Sequence, residues 1–167
     1  MGNIFWEKID MEFFSTFFGK ILTTLFWSMV PVIELRGAIP IGTAMGLDLW
    51  TAIAVSVIGN MIPVPFIIVF IRKIFEMMRK MSKKLDGIVT AMEKKAEKNR
   101  AVVDRYKFWG LVILVAIPLP GTGAWTGALV AAMMEMRLKD AIPAIFLGVA
   151  IAGVIVATVT GGMFAFL

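Results

Sequence analysis

Three stretches of this chain carry no charge at all: Leu49 to Ile71, Phe108 to Met134 and Ala141 to Leu167. Each reaches the ~20 apolar residues that a helix needs to cross the hydrocarbon of a bilayer. A fourth, Ile21 to Leu47, is interrupted only by Glu34 and Arg36. Hydrophobic residues make up 59% of the 167, above the roughly 45–50% of ordinary globular domains. A soluble domain of this size has too little interior to bury them. The reading is an all-α integral membrane protein, with residues 1–167 as a single membrane domain.

Composition narrows the chemistry. With no Cys and no His, thiol chemistry, the commonest zinc ligands and imidazole acid–base work are absent. No metal and no cofactor are expected, and proton chemistry must use carboxylates. The start of the chain lacks the basic region and small-residue cleavage site of a signal peptide. Residues 1–18 mix Phe5, Trp6, Phe13, Phe14, Phe17 and Phe18 with Glu7, Lys8, Asp10 and Glu12. That pattern is either an interfacial amphipathic helix or an extension of the first buried helix.

The net charge of +5 is not spread evenly. Twelve of the 17 Lys and Arg fall between Arg72 and Lys107, beside five acids, for a balance of +7. By the positive-inside rule this connector, residues 72–107, is cytoplasmic. Anionic lipid of the inner leaflet accounts for its sign, and no nucleic-acid partner is expected. Ile74, Met78, Met81, Leu85, Ile88 and Met92 recur at steps of three and four. That is one apolar helical stripe, free to lie on the membrane, on the bundle or against another subunit.

Two of the apolar runs are broken. Phe108–Met134 contains Ile117-Pro118-Leu-Pro120-Gly121-Thr-Gly123. The prolines remove backbone donors and the glycines loosen what remains. The limbs Trp109–Ile117 and Ala124–Met134 are each about half a bilayer long at ~1.5 Å per residue. A re-entrant helical hairpin is expected, with a kinked spanning helix as the alternative. The first run has a similar grammar: a limb over Leu22–Val30, a break from Pro31 to Pro40, and a limb over Ile41–Leu47. Ala38-Ile-Pro40 recurs as Ala116-Ile-Pro118, and each break is followed by a GxxxG, Gly42 to Gly46 and Gly123 to Gly127. The expected plan is an inverted repeat: hairpin plus span over 20–71, a long basic amphipathic cytoplasmic helix over 72–107, then hairpin plus span over 108–167. Secondary transporters built this way bind substrate near the midplane, where the helices break.

Glu34 and Arg36 are the chemistry-bearing pair. An ionisable group in hydrocarbon costs at least ~2.5–3.5 kcal/mol on insertion scales. Either the two lock the hairpins together, or they line a polar cavity. In a cavity, Arg36 would hold an anionic head group with its bidentate fork, and Glu34 would gain and lose a proton. Asn60, inside the first span before Pro63 and Pro65, is interhelical glue or part of the substrate path. Asp48 and Asp140 read as N-caps of the two spans. Thr122, Trp125 and Thr126 offer hydroxyls and an aromatic wall, or packing. Nothing forms a catalytic constellation, so an enzyme is not expected.

Pro31-x-x-Glu34-Leu-Arg36-Gly-Ala-Ile-Pro40-x-Gly42 and Pro118-Leu-Pro120-Gly121-Thr-Gly123-Ala-Trp125-Thr-Gly127 resemble the paired signatures of the small multidrug export family, distant relatives of the DedA membrane proteins. The resemblance covers roughly residues 20–167. It implies a transporter in the plasma (inner) membrane of a prokaryote, moving amphipathic molecules. The DedA kinship implies a polyisoprenyl phosphate or phospholipid cargo and proton coupling through acids in the hairpins. It places Glu34 in the acidic position, Arg36 in a cationic one, and Pro31, Pro40, Gly42, Pro118, Pro120, Gly121 and Gly123 at the hairpin tips. The chain departs from DedA proteins in having no arginine between Phe108 and Met134. The expected function is translocation of an amphipathic anionic lipid, proton-coupled through Glu34 with Arg36 as head-group contact; proton-coupled export of amphipathic cations and a structural adaptor are the alternatives. A chain this short suggests a homodimer, with membrane lipids as its other partners.

Overall fold

The computed structural model describes residues 16–119 and 121–165. The expected interfacial helix over 1–18 therefore lies almost wholly outside the described residues, and so does Pro120. Among the described residues there are eight helices and no strand: α1 (Phe17–Met29), α2 (Glu34–Ala44), α3 (Leu49–Met61), α4 (Pro63–Met81), α5 (Lys83–Tyr106), α6 (Phe108–Ala116), α7 (Ala124–Met133) and α8 (Leu138–Ala165). Among the described residues two stretches are long and apolar enough to cross a membrane, Leu49–Ile71 and Leu138–Gly161. Contacts divide the chain into two compact units, Met1–Asn60 with Gly153–Leu167, and Met61–Ala152.

In the first unit, α1 opens on Thr16, whose hydroxyl oxygen accepts the Gly19 N–H at 3.1 Å. Its polar side chains return their protons to the helix: Thr23 to the Gly19 carbonyl, Thr24 to Lys20 and Ser28 to Leu25, at 2.7–2.8 Å. The helix stops at Val30, which is extended at ψ 128°. The following Pro31 makes helical backbone there costly. After a turn over 31–33 the chain is helical again from Glu34, and α2 runs back along α1. A Cβ added at Gly42 would stand 2.8 Å from the Thr24 hydroxyl and 3.4 Å from Ala52 Cβ, so α1, α2 and α3 meet at that point. One at Gly59 would strike the Ser28 hydroxyl and lie 2.7 Å from the Leu25 carbonyl oxygen. The second half of α8 passes α3 in the opposite direction, Gly153 near Val57 and Ile53, Gly161 near Leu49.

In the second unit, α4 begins on Pro63 and continues ten residues past the apolar span. Ser82, extended at φ −165°, ends it. Helix α5 then folds back, and Arg79 clasps the turn by bonding Asp86 at 2.8 Å and Glu93 at 2.5 Å. The expected single amphipathic helix over 72–107 is thus two helices. The stripe from Ile74 to Met92 is cut at Ser82, because α4 and α5 bury Phe75 and Val89 instead. Helix α7 is apolar all round and buried from Thr126 to Ala132, as a helix sheathed on every side must be. A Cβ at Gly127 would meet Val115, with Ile145 3.6 Å away, and one at Gly148 would lie 2.6 Å from Val115 Cβ and 2.9 Å from the Val112 oxygen.

Each unit holds a helical hairpin followed by the start of a long apolar helix, and the two are built alike. Gly59 meets a side chain of the first limb and the carbonyl three residues before it; Gly148 does the same with Val115 and Val112. Both second limbs end in a Schellman cap. Gly46, at φ +87°, sends its N–H to Thr43 and Leu47 sends its own to Gly42; Glu135, at φ +54°, sends its N–H to Ala132 and Met136 to Ala131. The apolar helix begins three residues after the left-handed residue in each case. This register corrects three expectations. Pro40 and Gly42 are not at a tip: both lie inside α2, since the break is confined to 30–33. The Ala-Ile-Pro recurrence does not mark equivalent positions, because one copy is inside a second limb and the other ends a first limb. Asp140 is not an N-cap but sits in the first turn of α8, which begins at Leu138.

Asp48 does cap: it accepts the Thr51 amide at 2.9 Å and hydroxyl at 2.6 Å, and these bonds hold its carboxyl below the usual carboxylate range. Its contribution is present above the ordinary carboxylate value of ~3.9 and is lost as pH falls through the lower folded value. Asp48→Asn should therefore lower the melting temperature near neutrality and leave it unchanged in strong acid. Gly59→Ala and Gly148→Ala should each destabilise by about 1–3 kcal/mol through overpacking. Gly87→Ala, where a Cβ meets nothing within 4 Å, should stabilise by about 0.5–1 kcal/mol. Thermal melts in detergent check all four.

Candidate functional site

Glu34 is the first residue of α2 and stands in left-handed backbone, φ +49°. Non-glycine residues avoid this region. Its amide donates to the Val30 carbonyl at 2.9 Å, across the turn that Pro31 opens. The side chain is 3% exposed and shares the buried face of α2 with Leu35, Ala38, Ile39 and Gly42.

Arg36, two residues on, starts from the opposite side of the helix. It is half-buried in an open groove of about 580 Å³ between Val32, Ile33, Gly37, Pro40, Ile41 and Ala44. It is the one charged side chain on that lining. Pro40 shapes the groove and offers no N–H to the Arg36 carbonyl one turn earlier.

Asn60 is fully buried in α3, as is Ser56 one turn before it. Both amide atoms of Asn60 and the Ser56 hydroxyl lack a hydrogen-bond partner among the described residues. Ser56 did not stand out in the sequence; its spacing of four from Asn60 was the available signal.

In the second unit, Ile117 is extended before Pro118, and Gly121 and Gly123 adopt φ +94° and +116°. These are turn residues, as expected. Thr122 is committed to the turn: its hydroxyl lies 2.6 Å from the Ile117 carbonyl and 2.9 Å from that of Leu119. Thr126 likewise donates to Gly121 at 3.0 Å. Trp125 instead lines an apolar cavity of about 460 Å³ with Phe66, Phe70, Phe75, Met78 and Met92 among its walls. Of this set the sequence pointed to Trp125 as a site residue and to Met78 and Met92 only as part of an apolar stripe. The aromatic and Met residues of α4 recur at helical spacing, a pattern that ordinary packing produces equally well.

A third cavity, about 420 Å³, joins Lys107 and Phe108 to Glu135, Met136, Arg137 and Asp140. The two ends of the second hairpin therefore lie side by side. In the first unit, the Lys20 ammonium is 3.2 Å from where a Cβ on Gly46 would be, so those hairpin ends meet as well. Glu34, Arg36 and Asn60 belong to the first unit, Thr122 and Trp125 to the second.

A family model described as "Putative small multi-drug export protein" matches residues 34–155. No curated protein and no solved structure matches the chain.

Proposed function

The chain belongs to the small multi-drug export family, and from that premise we propose that it is a membrane transporter of amphipathic small molecules, coupled to protons through Glu34. The observation that carries this reading is the cavity of about 460 Å³ beside Trp125. Its volume falls in the range of small-molecule sites, roughly 300–1,000 Å³. Its walls are aromatic rings and Met thioethers, which adapt to ligands of different shape. The Trp125 face also attracts organic cations. Glu34 is the only acid in the four apolar stretches of a chain without His. A buried carboxylate there is the available group for exchanging a proton during transport.

We further propose that both hairpins are re-entrant, the first from outside and the second from the cytoplasm, with 72–107 cytoplasmic. Two features support this. The limbs of 9–13 residues are too short to span ~30 Å of hydrocarbon. Gly59 and Gly148, where the first limbs pack, lie near the middle of Leu49–Ile71 and Leu138–Gly161. A second reading has its own observation. Arg36 in the groove of α2 suits the phosphate of an amphipathic anion such as a polyisoprenyl phosphate or phospholipid.

Proteoliposomes test both readings, given an amphipathic cationic dye or a labelled polyisoprenyl phosphate, with and without a pH gradient. Wild type should move the dye when the gradient is applied. Trp125→Ala should weaken dye transport about tenfold, the loss of a desolvated cation–π contact, and Glu34→Gln should remove the response to the gradient. Movement of the lipid alone would favour the Arg36 reading; movement of neither would sink the transporter. Single cysteines replacing Asp48 and Leu138 test the topology. An impermeant thiol reagent outside should modify position 48 only, and modification of both would exclude access of the second hairpin from the cytoplasm.

A further inference from the structure

The Ser56–Asn60 pair is the feature that the transport reading leaves unexplained. Three polar atoms there are buried without a hydrogen-bond partner among the described residues. Each would cost about 1–3 kcal/mol if left dry.

Their surroundings can be followed from a fixed contact. Gly42 on α2 meets Thr24 on α1 and Ala52 on α3, while Gly59 further along α3 meets Leu25 and Ser28, so α3 advances with α1 and against α2. From that contact the row Gly42, Ala38, Glu34 recedes along α2. The row Ala52, Ser56, Asn60 recedes along α3 in the same direction. Gly59, the residue before Asn60, meets Ser28 and Leu25 of α1, so Asn60 stands beside Ser28, toward the α1–α2 turn that carries Glu34. From α1 the neighbour is Ser28, packed on Gly59, with its proton given to the Leu25 carbonyl at 2.7 Å.

Asn60 offers both a donor and an acceptor, and Ser56 offers either. A bare cation would leave the amide N–H₂ unmatched. Water matches all three atoms, and internal waters typically make ~3 hydrogen bonds to groups of this kind. We propose that Ser56 and Asn60 hold internal water in the middle of the first span, on the side toward the α1–α2 turn that carries Glu34, and that this water is the inner leg of the proton path to the carboxylate. Its role as a path rests on the transport reading; its presence does not.

Two measurements decide presence, both on the full chain in detergent. X-ray hydroxyl-radical footprinting generates radicals from bound water where it sits. The Val57–Met61 segment should be modified in wild type and fall to background in Asn60→Leu. Asn60→Leu should also lower the melting temperature by about 2–8 °C, because Ser56 loses its bridging water. Ser56→Ala, the milder change, should shift it the same way by less. An unchanged or raised melting temperature in Asn60→Leu, with equal labelling, would show a dry site and overturn the proposal. In proteoliposomes, Asn60→Leu should slow gradient-driven dye transport while dye binding persists, read as the part of tryptophan quenching that Trp125→Phe abolishes. Transport at the wild-type rate would remove the path. If wild type itself ignores the gradient, the coupling through Glu34 falls by that result, and footprinting and melting still decide the water.

Discussion

A helix break releases peptide groups that need new partners once they are buried, and the two breaks of this chain are arranged around that constraint. Pro31 and Pro118 each force the preceding residue out of the helix, so Val30 and Ile117 are extended. The groups released by each break are then collected locally. The Glu34 amide reaches back to Val30; Thr122 and Thr126 donate to the carbonyls of Ile117, Leu119 and Gly121. The far ends of both hairpins close in the same Schellman geometry. Limb length and the placement of Glu34 both follow from where the breaks are and how they are closed.

The second hairpin was legible to within a residue or so, because Pro118, Gly121 and Gly123 lie together and leave no helical alternative. The first was not. Pro31 and Pro40 look equally disruptive in sequence, yet only Pro31 breaks the chain. Pro40 lies on the open side of α2, where its missing donor opens a groove instead of a turn. Short recurrences misled for a related reason: Ala-Ile-Pro repeats by residue type, while the equivalent positions repeat by backbone role. Glu135 and Gly46 share a left-handed cap that their unlike residue types conceal. The basic connector read as one stripe because periodicity alone does not register a single extended serine.

The candidate site was legible in its charges and not in its surroundings. Glu34 and Arg36 announce themselves in an apolar run, but their separation onto two sides of α2 depends on the helix restarting at Glu34 itself. That restart places a carboxylate in left-handed backbone, a conformation costing roughly 1–2 kcal/mol for a residue with a Cβ. Such positions persist where the surroundings over-determine them. Here the turn bond to Val30 and the buried face of α2 do so. Asn60 was visible as an oddity, whereas its unmet hydrogen bonds emerge only when the neighbouring helices are in place.

The first compact unit draws on both ends of the sequence, joining Met1–Asn60 to Gly153–Leu167. On the ribosome those pieces are made far apart in time. The α1–α2 hairpin and α3 must wait, with the Val57 and Leu49 side of α3 bare, until Gly153 and Gly161 have been synthesised. Folding of this unit is therefore necessarily late and non-local, with the slow loop closure that long sequence separation brings. During that interval α3 carries a face that the finished unit partly covers.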